Sequence, residues 1–176
     1  MSLVRNSLIW HNAGMKKVTL RSMTPPEFEL FRTKLVREYA AANVEAGRWS
    51  AEESAEQSEI QTRVLLPLGL DSPRVLLMIA ENEEGEGVGH LWIGLDRHSG
   101  GGGGAWIYDI EVSENHRGQG YGRAILQGAE QETLRNGVNT IGLNVFGRNT
   151  VARALYQSSG YEITSQQMKK EIKAAD

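Results

Sequence analysis

Apolar and polar residues alternate along this chain with two periods, two and about 3.6, and the switches between them mark its elements. Residues 16–23 alternate as a short first strand, with Val18 and Leu20 on one face. Thr24-Pro25-Pro26-Glu27 then starts a helix: Thr24 caps it, proline sits where a missing N–H costs nothing, and Glu27 completes a capping box. Phe28, Phe31, Leu35, Tyr39 and Ala42 recur at threes and fours before Gly47 closes the helix. A second helix is capped by Ser50, carries Glu53 at its third position and runs to about Leu66, where Pro67 stops it. Residues 75–80 read as a buried strand, 81–86 as a charged hairpin loop and 87–95 as the returning antiparallel strand. Glycines 101–104 read as a mobile hairpin tip.

Residues 105–112 form the central strand of this reading. Strict alternation puts Trp106, Tyr108, Ile110 and Val112 on one face and Ala105, Ile107, Asp109 and Glu111 on the other. A helix over 122–136 follows, with Tyr121, Ile125 and Ala129 at spacing four. Next come a strand over 139–146 with Ile141, Leu143 and Val145 inward, a helix over 151–159 with Gly160 as its C-cap, and a closing hairpin of 161–164 and 167–172. The order predicts an α/β (α+β) fold, a mixed, mostly antiparallel sheet of about six to seven strands with helices on both faces. Residues 15–176 read as a single domain. Residues 1–14 differ in character and read as an N-terminal arm or a cloning remnant, with Met15 as a natural start.

Composition narrows the chemistry. The net charge of -3 and the absence of a Lys/Arg cluster speak against a nucleic-acid partner. No apolar run approaches the roughly 18 residues that span a bilayer, and no secretory signal is evident, so the expected compartment is the cytoplasm. With no cysteine, acyl transfer here cannot pass through a cysteinyl thioester. His11, His90, His98 and His116 lack ligand spacing, and no metal is expected. Glu52, Glu53, Glu56 and Glu59 on the second helix serve either as a solvated face or as an acidic rim that draws a cationic substrate.

Between the central strand and the next helix stands His116-Arg117-Gly118-Gln119-Gly120-Tyr121-Gly122-Arg123. Glycines at alternate positions leave no Cβ on the inner side, so backbone N–H groups can turn inward on an anion, helped by the helix N-terminus. The P-loop needs a Lys-Ser or Lys-Thr where Arg123-Ala124 stands, and the dinucleotide fingerprint lacks its third glycine. What remains is Arg117-x-x-Gly120-x-Gly122. The stretch from Val112 to Gly122 resembles motif A of the GNAT superfamily of N-acetyltransferases. Asn149-x-x-Ala152-x-x-Leu155-Tyr156-x-x-x-Gly160-Tyr161 resembles motif B of the same superfamily.

The resemblance covers roughly residues 75–164 and implies acetyl-CoA as cosubstrate. Backbone N–H groups of Arg117, Gly118, Gln119, Gly120, Tyr121, Gly122 and Arg123 would hold its pyrophosphate. The main chain of Ile110, Glu111 and Val112 would pair with its pantetheine arm as an added strand does. Asn149 and Ala152, one turn apart, would meet that arm from the other side, and Tyr156 would sit by the sulfur. The partners implied are acetyl-CoA and an amine acceptor, with a homodimer added by family habit.

The chemistry needs a neutral amine, yet an alkyl amine with a pKa near ~10.4 is almost all protonated at neutral pH. Asp109 and Glu111 are the candidate proton acceptors, Asp109 first. Pairing with arginine, or holding the substrate's ammonium, is the other role open to both. Tyr156 would protonate the departing sulfur. A phenol at ~10 is less acidic than a thiol at ~8.5, a mismatch of about 2 kcal/mol, so Tyr156 would assist a sulfur already charged. The expected activity is direct acetyl transfer to a primary amine, with the acidic residues favouring a cationic small molecule. A non-catalytic acyl-CoA sensor and a nucleotide-binding module are the rivals.

Overall fold

The computed structural model describes residues 16–97, 103–168, 170 and 172. The predicted arm of residues 1–14 lies outside the described residues. The chain divides into two compact units, Met1–Leu143 and Asn144–Asp176. The first unit holds β1 (Thr19–Ser22), α1 (Pro25–Glu45), α2 (Ser54–Leu65), β2 (Val75–Glu81), β3 (Gly87–Arg97), β4 (Gly104–Val112), α3 (Tyr121–Arg135) and β5 (Ile141–Leu143). The second holds α4 (Thr150–Ser158).

The strands form one sheet in the order β1-β2-β3-β4-β5. Neighbours run antiparallel except β4 and β5, which are parallel. The mixed, mostly antiparallel class is the expected one. The described residues carry five strands, because 161–164 and the described part of 167–172 form no ladder and the closing hairpin is not made. Residues 101–102 of the glycine run lie outside the described residues, and Gly104 opens β4.

In the first unit α1, with α2 packed on it, covers one face of the sheet. The Phe31 ring meets His90 and Trp92 of β3 edge-on, at 5.1 and 6.1 Å. Phe28, Phe31, Leu66, Leu77 and Trp92 form the core on that side. The other face receives α3. Leu91, Ile93, Ile125, Leu126 and Ala129 are all fully buried there, and each such Leu or Ile side chain contributes roughly 1.5–3 kcal/mol. Gly89 lets α3 settle, since a Cβ built on it would lie 2.8 Å from Ile125 Cδ1 and 2.2 Å from the Glu111 carbonyl oxygen.

The entry into α1 is held electrostatically. Glu27 accepts from the Thr24 N–H and hydroxyl, both at 2.8 Å, and both its oxygens receive the Arg21 guanidinium. Arg21 also donates to Glu81 at 2.7 Å, tying β1 to β2. The second helix starts later than expected, at Ser54. Ser50 Oγ does accept the Glu53 N–H at 3.2 Å, but residues 51–53 stay in a turn.

One irregularity reorganises β4. The register with β3 steps from Trp92↔Asp109 to Ile93↔Ile107, so Tyr108 is an extra residue on β4, a β-bulge. Its ring stacks on Trp92, with centroids 4.6 Å apart. The expected alternation therefore fails past Ile107. Asp109 and Glu111 join Trp106 and Tyr108 on the α1 face, opposite Trp92 and His90, while Ile110 and Val112 turn to the α3 face with Ala105 and Ile107. Strict alternation cannot anticipate a bulge, because one inserted residue exchanges the two faces for everything beyond it.

Candidate active site

Beyond Val112 the chain makes a short 3-10 turn, Glu114–His116, and reaches the glycine loop. Gly118 and Gly120 have φ of +73° and +92°, a region that costs other L-residues roughly 1–2 kcal/mol. Nothing lies within 4 Å of the place a Gly118 Cβ would occupy. Gly120 caps α3, and Tyr121, Gly122 and Arg123 form its first turn, the end of a helix at which backbone N–H groups point outward. The Tyr121 side chain is engaged elsewhere: it is buried, with His116 edge-on at 5.6 Å and Lys16 Nζ 5.1 Å from its ring centre. Gln119 Nε2 donates to the Asn115 carbonyl at 2.8 Å and closes the turn.

Arg117 folds back across the strand end. Its Nε donates to the Val112 carbonyl at 3.0 Å and its NH2 to Glu111 Oε1 at 3.0 Å. Glu111 receives a second cation, Lys34 of α1, on Oε2. His90 Nε2 lies 2.7 Å from Asp109 Oδ2 and 3.9 Å from Glu111 Oε2. Since a carboxylate only accepts, His90 donates from Nε2 to Asp109. Glu38, Lys34, Glu111, His90 and Asp109 thus form one connected row of polar groups.

This row borders a cleft of ≈ 490 Å³ between α1 and the end of β4, lined also by Ser113, Glu114 and Arg117. A smaller recess of ≈ 180 Å³ shares Lys34, Glu38, His90 and Glu111, and adds Phe31, Leu35, Tyr39, Tyr108 and Asp109. β5 accompanies β4 only from Ala105 to Ile107. Among the described residues no strand pairs with that edge of β4 from Tyr108 to Val112.

The second unit carries the remaining expected residues. Asn149 caps α4, its Oδ1 accepting the Ala152 N–H at 3.1 Å. Tyr156 is buried, with its ring 5.9 Å from that of Tyr161. Asn149, Ala152 and Tyr156 share one stripe of α4, as spacings of three and four require.

Residues 34–161 match the acetyltransferase (GNAT) family. The chain belongs to that family. The uncharacterized N-acetyltransferase YdgE of Bacillus subtilis is 34% identical over 155 residues, covering 88% of this chain and 98% of its own. A second uncharacterized N-acetyltransferase of that organism, YycN, is 33% identical over 156 residues, covering 88% and 99%. The crystal structure of YycN superposes with a TM-score of 0.79, covering 90% of this chain and all of its own. A putative acetyl transferase from Pyrococcus furiosus, 28% identical, has a TM-score of 0.62 and covers 89% and 100%.

The chain is thus a GNAT acyltransferase, and the geometry refines which of its residues meet. Glu111 and Arg117 line the cleft, and Asp109 lines the recess beside it. Glu52, Glu53 and Glu56 of the proposed acidic rim line neither, and Glu59 pairs with Arg32 at 2.6 Å. The sequence reading missed Lys34, Glu38 and His90. The signal for His90 was only its place in a predicted strand; that it stands opposite Glu111 follows from the β3–β4 register, which the bulge at Tyr108 shifts by one residue. Lys34 and Glu38 had no comparable signal, since charged residues on a helix ordinarily face water. Among the described residues no helix is long and apolar enough to cross a membrane.

Proposed function

We propose that this GNAT protein transfers the acetyl group of acetyl-CoA directly to the primary amine of a small cationic acceptor. The observation that carries the reading is the placement of Asp109, paired with His90 of the neighbouring β3, on the strand that runs into the Gly118/Gly120 loop. A pyrophosphate on the loop N–H groups directs the pantetheine arm back along the edge of β4 that β5 leaves after Ile107. The thioester then arrives beside the acidic cleft.

The acceptor enters as an ammonium, attracted by the carboxylates. Asp109, backed by His90, takes its proton. Glu111 is the less available acceptor, because Arg117 and Lys34 each occupy one of its oxygens. The free amine attacks the thioester carbonyl and the C–N bond forms. The carbon–sulfur bond breaks, and the thiolate leaves with a proton from Tyr156. The amine's remaining extra proton passes to solvent. The backbone of Ile110 to Val112 holds the pantetheine arm.

Calorimetry with acetyl-CoA, followed by thiol release over a panel of primary amines, tests this. Micromolar binding with release against at least one cationic amine is expected. Binding with no release against any amine assigns the fold to acyl-CoA sensing, and no heat at millimolar acetyl-CoA removes the reading.

A further inference from the structure

The smaller recess differs from the cleft beside it in one respect that bears on the acceptor. The residues it does not share with the cleft are Phe31, Leu35, Tyr39, Tyr108 and Asp109, four apolar or aromatic walls and a single carboxylate. From this we infer that the recess binds the acceptor and that the acceptor is an arylalkylamine, one ammonium carried on a compact aromatic body. The inference rests on the acetyl-transfer reading above and names the substrate class of that site.

The walls are set before any ligand arrives. Tyr108 is the bulged residue and is stacked on Trp92 at 4.6 Å. Phe31 is edge-on to both His90 and Trp92. Tyr39 at the rim is fixed by an edge contact to Trp49 at 5.3 Å and a 2.8 Å hydrogen bond from its hydroxyl to Gln61. Rings held in this way give large contact area at little entropic cost and favour offset or edge-on partners.

Size and charge weigh against the alternatives. Pockets for drug-sized ligands run to roughly 300–1,000 Å³, and at ≈ 180 Å³ the recess matches a compact body, whereas an aminoglycoside would have to extend into the neighbouring cleft. A diamine or polyamine places its second ammonium away from the first. The other carboxylates of the recess, Glu38 and Glu111, are already engaged by Lys34, so a second ammonium would compete with that lysine or lie against Phe31, Leu35 and Tyr108. An amine with an apolar body leaves no such charge. Its ammonium meets Asp109, which the His90 Nε2–H holds in place.

The test uses the full chain saturated with acetyl-CoA and measures thiol release with 2-phenylethylamine, butylamine, putrescine, spermidine and kanamycin. The expected kcat/KM for 2-phenylethylamine exceeds that for putrescine by at least about tenfold, the scale on which apolar pockets discriminate. Tyr39→Ser should reduce that ratio about tenfold through KM, with acetyl-CoA calorimetry reporting that the variant is folded. Faster turnover of spermidine, putrescine or kanamycin, or an unchanged ratio in Tyr39→Ser, overturns the inference and leaves the acetyltransferase reading intact. No heat with acetyl-CoA overturns both.

Discussion

His90 Nε2 stands 2.7 Å from Asp109 Oδ2 across the β3–β4 ladder, and the contact exists because Tyr108 is bulged out of β4. Without the extra residue Asp109 would turn toward α3, among fully buried Leu91, Ile93 and Ile125. There an ionised carboxylate would be prohibitively costly. The bulge moves both carboxylates to the α1 side, beside a histidine and two cations. A packing irregularity thereby creates the candidate site.

Asp109→Asn should test the proton acceptor. The amide keeps the shape and loses the basicity. Turnover at saturating substrates is expected to fall by about 10²-fold or more, the usual contribution of a positioned base. His90→Asn should fall less and alter the pH–rate profile. Steady-state thiol release across pH checks both; wild-type turnover in Asp109→Asn would eliminate it as the base.

Tyr156→Phe removes one oxygen from a buried ring and should leave the fold intact. Turnover should drop strongly while the Kd for acetyl-CoA, read by calorimetry, changes little. Unchanged turnover would take Tyr156 out of the mechanism.

Gly89→Ala should be among the most damaging single methyl additions. The new Cβ would sit 2.2 Å from the Glu111 carbonyl oxygen and 2.8 Å from Ile125 Cδ1, so β3 and β4 must part beside the site. Overpacking typically costs about 1–3 kcal/mol, and a clash with backbone lies at the upper end. Urea unfolding midpoints measure it, and a loss below about 1 kcal/mol would contradict this packing.

Glu27 provides a pH signature. The Arg21 guanidinium first, and the Thr24 N–H second, lower its carboxyl pKa from 4.5 to about 2. Because the folded value is depressed, its contribution to stability is complete above 4.5 and is lost as pH falls toward 2. The stability gap between wild type and Glu27→Gln should therefore be constant from neutral pH down to about that upper value, then narrow and close near the lower one. Paired urea titrations across this range check it; a gap independent of pH would mean the ion pair does not stabilise the fold.

Much of this protein is legible in its sequence because local rules carry it. Tyr121, Ile125 and Ala129 are buried on α3 at the predicted spacing, since one face of a helix follows from its period alone. Gly118 and Gly120 have the positive φ that a glycine-rich strand-to-helix turn implies. The family follows from two short motifs at fixed spacing, and with it the class of reaction. What the sequence could not supply is pairing across distance. The bulge at Tyr108, the meeting of His90 with Asp109 and the reach of Lys34 to Glu111 depend on strand register and on how α1 lies over the sheet. Those are settled by packing between residues tens of positions apart, where periodicity within one segment carries no information. Local pattern sets the scaffold and the loop; packing between distant segments selects the side chains that face the acceptor.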